Sequence, residues 1–137
     1  MNCLNSKVAR ALVVFAVLGI AGALALYAQQ APAVKRTILM KQDMSIPGRE
    51  AVMALVELPP GAAEGRHTHP AEVYAFVQEG TISLENEGSP TVTLKAGDVF
   101  HIAPGKIHQA TNTGSVTARL SAVFVAEKGK PLTTQVK

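Results

Sequence analysis

The sequence predicts an all-β protein folded as a small antiparallel β-barrel. Beyond residue 35, no apolar pattern repeats at the helical period of 3.6, and short runs rich in β-branched residues appear instead. Clusters of Gly, Pro and Asn separate these runs, as expected where strands are joined by turns. Many short strands at such spacing are typical of an antiparallel sandwich or barrel.

Length and charge limit both the organisation of the chain and its partners. Its 137 residues suit one small domain. The 13 basic and 10 acidic residues give a formal charge of +3, but the basic residues are scattered. We therefore expect no nucleic-acid partner. Because Cys3 is the single cysteine, an internal disulfide and a zinc ribbon are both excluded.

The N-terminal segment differs in composition from the rest of the chain. Lys7 and Arg10 precede an uncharged apolar run, residues 11–26, which is shorter than the roughly 20 residues that span a bilayer. We predict that residues 1–28 are a cleaved signal peptide, with an uncleaved membrane anchor as the alternative. The mature protein is then expected in the bacterial periplasm or secreted. Its contact with membrane would be limited to this segment before cleavage.

Seven candidate strands organise the remaining chain. We assign residues 29–48 to an N-terminal arm with the first strand, residues 49–126 to the barrel, and residues 127–137 to a polar C-terminal tail. That tail is either loose or an added edge strand. Residues 81–84 and 91–94 alternate strictly between apolar and polar, which predicts a hairpin. The candidate strands are 37–40, 51–58, 73–77, 81–85, 91–95, 99–103 and 116–126.

Three histidines predict a metal site. His67 and His69 are two residues apart, so on a strand their side chains face the same side. His108 would add a third imidazole from a neighbouring strand and leave coordination positions open. We expect one divalent metal ion, and the residues are compatible with Zn, Fe, Mn, Ni or Cu.

The spacing of these histidines resembles the two linked motifs of the cupin family. The first motif reads G-x5-H-x-H-x3-E-x6-G and the second reads G-x5-P-x-G-x2-H-x3-N. The matching positions are Gly61, His67, His69 and Gly80 in the first motif, and Gly97, Gly105, His108 and Asn112 in the second. The chain also resembles small single-domain cupins in its Gly-Lys-Pro-Leu tail, residues 129–132. This resemblance implies a double-stranded β-helix, or jelly roll, with metal held by the motif histidines.

The glutamate of the first motif is displaced in this sequence. Val73 occupies the motif position, and Glu72 precedes it by one residue. On a regular strand Glu72 faces away from His67 and His69, which leaves a site of three histidines. Alternatively, a bulge before Glu72 turns its carboxylate inward as a fourth ligand. Strand parity favours the first interpretation, and Glu72 stays a candidate ligand.

Residues outside the motifs predict a surface for self-association. Tyr74 and Phe76 share the strand parity of Glu72, so we expect their rings on the outer face of the sheet. With the apolar run 116–126, this predicts a homodimer. His101 either lines the cavity or is a half-buried strand histidine with a backbone partner, and we favour the second role.

The predicted site supports three classes of function. A divalent ion on three neutral imidazoles keeps its full charge and can act as a Lewis acid. The resemblance implies an oxygenase, isomerase or decarboxylase acting on a small molecule. One alternative is a non-catalytic module that binds or senses a small ligand or the metal, and another is a structural barrel in which the metal only braces the strands. No catalytic residue can be assigned from the sequence, because fold does not fix chemistry.

Overall fold

The computed structural model describes residues 32–137, so the predicted signal peptide lies outside the described residues. These residues form ten strands and contain no helix long and apolar enough to cross a membrane. The strands are β1 (Lys35–Asp43), β2 (Arg49–Leu58), β3 (His67–Thr68), β4 (Ala71–Glu79), β5 (Thr81–Asn86), β6 (Val92–Lys95), β7 (Val99–Ile102), β8 (His108–Asn112), β9 (Ala118–Glu127) and β10 (Thr134–Gln135).

Two five-stranded antiparallel sheets enclose the core, which confirms the predicted all-β fold. Sheet one has the order β1-β2-β9-β4-β7, and sheet two has the order β10-β3-β8-β5-β6. At the centre of sheet one, β2 and β9 pair in continuous register from Arg49 opposite Glu127 to Leu58 opposite Ala118. Alternate residues of both strands are buried, so one face of sheet one forms a wall of the core.

The seven candidate strands are found, and three further strands lie outside that set. Each of the seven candidate runs overlaps an observed strand, and β5 pairs with β6 as the expected hairpin. The strands β3, β8 and β10 were not among the candidate runs, although the histidine pattern placed His67 and His108 on strands. Of the two states considered for the polar tail, the structure shows the edge strand, because β10 pairs with β3.

Asn112, the last residue of the second motif, fastens the end of β8 to its surroundings. Its amide nitrogen donates to the carbonyl oxygens of Leu58 and Val116, each at 2.7 Å. Its amide oxygen accepts the N–H of Gly114 at 2.8 Å. The side chain is buried, and these bonds satisfy the polar groups that burial removes from water. Asn112 therefore fixes the frame of the barrel rather than taking part in the site.

Gly80, the last residue of the first motif, is required by the turn between β4 and β5. Its φ angle is 82°, in the left-handed region that other residues rarely adopt. A Cβ atom at this position would lie 2.8 Å from the Cα atom of Ala118. Both backbone strain and a clash with the start of β9 therefore oppose a side chain here.

We expect Gly80→Ala to lower the free energy of unfolding by about 3 kcal/mol, because a strained φ and an overpacked contact each cost about 1–3 kcal/mol. Gly97→Ala is the matched control, since Gly97 has a φ of 97° but a Cβ atom added there would meet no other atom within 4 Å. Urea denaturation of both variants separates the two costs. Equal losses in the two variants would contradict a contribution from the Ala118 contact.

Candidate metal centre

Three histidines from two strands and a loop meet at one side of the core. His67 in β3 and His108 in β8 are direct cross-strand partners, and His69 lies just beyond the end of β3. The N–H of Gly105 donates to the carbonyl oxygen of His69 at 2.8 Å, which ties the two motifs together. One ring nitrogen from each histidine lies within 4.8 Å of the others, and all three residues are buried. These histidines can hold a metal ion.

Hydrogen bonds set the tautomer of each of the three rings. The Nδ1 atoms of His67, His69 and His108 lie 2.7, 2.7 and 3.0 Å from the carbonyl oxygens of Gly65, Leu132 and Lys106, respectively. A carbonyl oxygen can only accept, so each Nδ1 carries the proton and each Nε2 keeps a free lone pair. Metal-binding histidines are commonly oriented in this way.

The closest approach among the rings fits a bound cation. The Nε2 atoms of His67 and His69 lie 3.2 Å apart. In neutral rings that donate through Nδ1, both of these nitrogens are acceptors, so they repel each other. A cation beside the two lone pairs converts this repulsion into ligation. The donor set therefore fits a divalent metal ion that accepts imidazole nitrogen.

Burial favours the neutral, metal-binding form of His69 and His108. It lowers the pKa of His69 to about 4, while the hydrogen bond to Leu132 partly opposes this effect. Burial also lowers the pKa of His108, although its bond to Lys106 acts in the opposite direction. Neighbouring positive charge adds to the lowering at both residues. At neutral pH these two rings therefore offer lone pairs without first losing a proton.

The lowered pKa of His69 predicts that the metal-free protein loses stability in acid. The unfolded chain takes up a proton near pH 6.5, whereas the folded chain takes it up only near pH 4. The folded state therefore binds fewer protons between these values, and stability should fall as the pH decreases from about 6.5 to about 4. Thermal unfolding of metal-free protein across this range measures the slope. His69→Gln should flatten the slope, and a wild-type melting temperature independent of pH would refute the assignment.

A small cavity adjoins the histidines. His69, His108, Arg36 and Glu64 supply its polar groups, and the remaining lining is apolar and includes Val73. The cavity has a free volume of about 30 Å³, which is room for about two or three waters. Phe124 packs edge-on against His69, with ring centroids 5.0 Å apart. The cavity is therefore suited to a small ligand in largely apolar surroundings.

The C-terminal tail completes the surroundings of His69. Leu132 provides the carbonyl that accepts from His69 Nδ1, and the Thr133 hydroxyl lies 3.3 Å from the same nitrogen. The Thr133 hydroxyl also accepts from Arg36 Nη1 at 3.1 Å. The sequence marked this segment only through its Gly-Lys-Pro-Leu resemblance. Nothing in that resemblance indicated that a backbone carbonyl 63 residues from His69 orients the ring.

Two polar residues of the cavity, Arg36 and Glu64, were missed by the sequence analysis. Glu64 lies in the connection before β3, outside every matched motif position. Arg36 lies in β1, two residues after Val34, which packs against the core. The available signal was that Arg36 has the same strand parity as Val34, which places its side chain on the core side of β1.

The structure places Glu72 on the opposite face of sheet one from the three histidines. Its carboxylate contacts His101 Nε2, and both side chains are largely exposed. The Tyr74 ring lies against His101, with ring centroids 5.0 Å apart. His101 thus has a side-chain partner outside the barrel and does not line the cavity. Val73 is buried and lines the cavity, as strand parity predicted.

Known proteins share both the sequence pattern and the fold. A family model described as a cupin domain matches residues 54–125. The oxalate-binding protein of Thermotoga maritima is 32% identical over 91 residues, which cover 64% of this chain and 71% of that protein.

Solved structures show the same fold at low sequence identity. A conserved protein from Klebsiella pneumoniae with a double-stranded β-helix domain has a TM-score of 0.63 and 20% identity, covering 80% of this chain and 88% of that one. Recombinant oxalate oxidase in complex with glycolate has a TM-score of 0.63 and 21% identity, covering 78% of this chain and 57% of that one. This chain spans little more than half of that oxidase.

The family assignment follows from the sequence match and agrees with the fold. The matched region contains all three clustered histidines and makes up more than half of the 137 residues. The two facing antiparallel sheets are those of the structural neighbours. The chain belongs to the cupin family.

Proposed function

We propose that this chain is a cupin that binds one divalent metal ion through His67, His69 and His108 and acts on a small molecule in the adjoining cavity. The observation that carries this proposal is the set of three buried Nε2 lone pairs, each fixed by an Nδ1 bond to a carbonyl. Three protein ligands leave coordination positions open for a substrate. An oxygenase, isomerase or decarboxylase activity would use such positions.

The chain's own residues define what the site contributes to such a reaction. The three histidines would hold the ion through neutral imidazoles, and a bound ion would supply Lewis acidity. The apolar lining, including Val73 and Phe124, excludes water and so strengthens electrostatic interactions inside the cavity. The limited free volume favours a small substrate. The relatives named above are described with oxalate and glycolate, which are small molecules.

A non-catalytic binding module is the second candidate function. The Thermotoga maritima relative is named for binding oxalate rather than for a reaction. In that case the metal and the cavity would hold a small ligand without turnover. The two candidates share the metal site and differ only in whether a bound molecule is converted.

Metal analysis followed by an activity assay tests the proposal and separates the candidates. The purified mature chain should contain about one divalent ion, by elemental mass spectrometry. Metal-loaded protein is then mixed with oxalate or glycolate, and oxygen consumption, carbon dioxide release and ligand binding are measured. Turnover supports the enzyme, and tight binding without turnover supports the binding module. Metal-free protein that takes up no divalent ion would refute both.

We also propose that two copies of the chain associate through the outer face of sheet one. Tyr74, Phe76 and Val99 are exposed there, and they form an apolar groove with Met53 and Val123. The same face of a second copy would bury these side chains. Sedimentation at micromolar concentration should give twice the mass of the mature chain, and Phe76→Lys should give the monomer mass. A monomeric wild type would contradict the proposal.

Export is a further proposal that rests on the sequence of residues 1–28. Lys7 and Arg10 before the short apolar run support cleavage during secretion to the periplasm or beyond. N-terminal sequencing of protein from the periplasmic fraction should begin near residue 29. An intact Met1 on membrane-bound protein would contradict cleavage.

A further inference from the structure

One ion pair lines the histidine cavity, which is the cavity next to His69 and His108. Arg36 Nη2 donates to Glu64 Oε1 at 2.9 Å, and the two side chains are only 28% and 12% exposed. Both residues line the cavity together with His69 and His108. Within residues 32–137, Glu64 is the one carboxylate among the residues that line this cavity. An acidic group therefore lines the same cavity as two of the histidines, although the motif position holds Val73.

Charge balance gives this carboxylate a role toward a bound cation. Three neutral imidazoles leave the charge of a divalent ion uncompensated, and an apolar cavity makes that charge costly. A nearby carboxylate reduces this cost.

The ion pair is also incompletely satisfied and close to the surface. Among residues 32–137, the buried Arg36 Nε has no hydrogen-bond partner, which is uncommon for a buried polar atom. Arg36 and Glu64 also line a surface pocket of about 180 Å³ with Val34 and Gln135. The pair therefore lies between the histidine cavity and this surface pocket.

We propose that Glu64 is the acidic residue of the metal site and that Arg36 is the residue that positions it. This inference rests on the proposed function, since it requires metal at the three histidines. Glu64 reaches the cavity from the connection before β3, whereas Glu72 remains on the outer face with His101. The site thus has a carboxylate at a position that the first cupin motif leaves unspecified, between Gly61 and His67.

Titration of Co²⁺ into the metal-free mature chain tests this assignment. Glu64→Gln keeps the shape and can still accept from Arg36, but it removes the charge. We expect it to weaken Co²⁺ binding about 10- to 100-fold, the range found when groups that support metal ligands are removed. Glu64→Asp keeps the charge and should restore most of the affinity. Glu72→Gln is the matched control and should stay within about threefold of wild type.

The order of the variants separates a role at the metal from a structural role. If Glu64 only stabilises the fold, Glu64→Asp should destabilise the protein more than Glu64→Gln, because the shorter aspartate side chain reaches less far toward Arg36. Thermal unfolding of the metal-free variants records that structural cost separately. Wild-type affinity in Glu64→Gln, or weaker binding in Asp than in Gln, would overturn the proposal.

Two further measurements keep the outcome decisive. If Glu64→Gln does not fold, Arg36→Met is compared with Thr133→Val, which loses the same hydroxyl contact without a change of charge. Arg36→Met should bind Co²⁺ several-fold more weakly than Thr133→Val, because Glu64 loses the residue that positions it, and equal or tighter binding would overturn the proposal. His67→Ala is measured in the same series. Wild-type binding in His67→Ala would show that the proposed function itself has failed.

Discussion

Alanine at His67, His69 or His108 should remove the metal ion from the protein. Each substitution deletes one of three nitrogen ligands, and even partners that only support ligands contribute about 10- to 100-fold to metal affinity. We therefore expect each variant to lose more than about 100-fold in affinity. Elemental analysis after dialysis should show about one ion per wild-type chain and a small fraction of that in each variant.

His101→Ala is the matched control for this series. It removes an imidazole from the same chain, but one that contacts Glu72 on the outer face of sheet one. It should therefore retain the metal content of wild type. Loss of metal in His101→Ala alone would move the binding site to the outer face and refute the three-histidine centre.

Stability provides a second measurement of the same effect. A ligand that binds only the folded state stabilises it by about 2.7 kcal/mol when its free concentration is 100 times the dissociation constant. Wild-type protein should therefore melt at a higher temperature with divalent metal than without it. The three alanine variants should lose this difference, because the substitution removes the linkage between binding and folding.

The strands that could be predicted are those in which side-chain burial follows hydrophobicity. In β2, β5 and β9, apolar residues alternate with more exposed ones, so sequence periodicity reports the inner face. In β8 the inward positions are His108, Ala110 and Asn112, and two of these are polar. The two-residue strands β3 and β10 are too short to show any period. The ligand-bearing strands were missed because their inner face serves the site instead of the core.

The site was predictable where its geometry is local in sequence. The alternation of side chains along a strand brings His67 and His69 to one region, and the motif spacing identified His108. The positions of Leu132, Arg36 and Glu64 depend on long-range packing of the tail, β1 and the connection before β3. No spacing rule reports such contacts. Tertiary structure was therefore needed to find the groups that orient and balance the histidines.

Val73→Glu should make the stability of the protein strongly dependent on metal. Val73 is buried, lines the histidine cavity and stands at the motif position that holds glutamate in the cupin pattern. Without metal, a carboxylate at this position is buried among apolar side chains, and we expect a loss of about 2–5 kcal/mol in the free energy of unfolding. A bound divalent ion would give that carboxylate a partner. Metal should therefore raise the melting temperature of this variant more than that of wild type.

Glu72→Ala is the counterpart on the outer face. Its carboxylate contacts only His101 among the hydrogen-bonded groups of the described residues, and both side chains are largely exposed, so metal affinity should stay within a few-fold of wild type. Isothermal titration with Co²⁺ and thermal unfolding of both variants test the pair. If Glu72→Ala abolished binding and Val73→Glu gained no stability from metal, the carboxylate ligand would be Glu72 and β4 would have to bulge at that residue. If Val73→Glu bound metal more tightly but lost small-molecule binding, the new carboxylate would occupy a coordination position that the wild type keeps for its ligand.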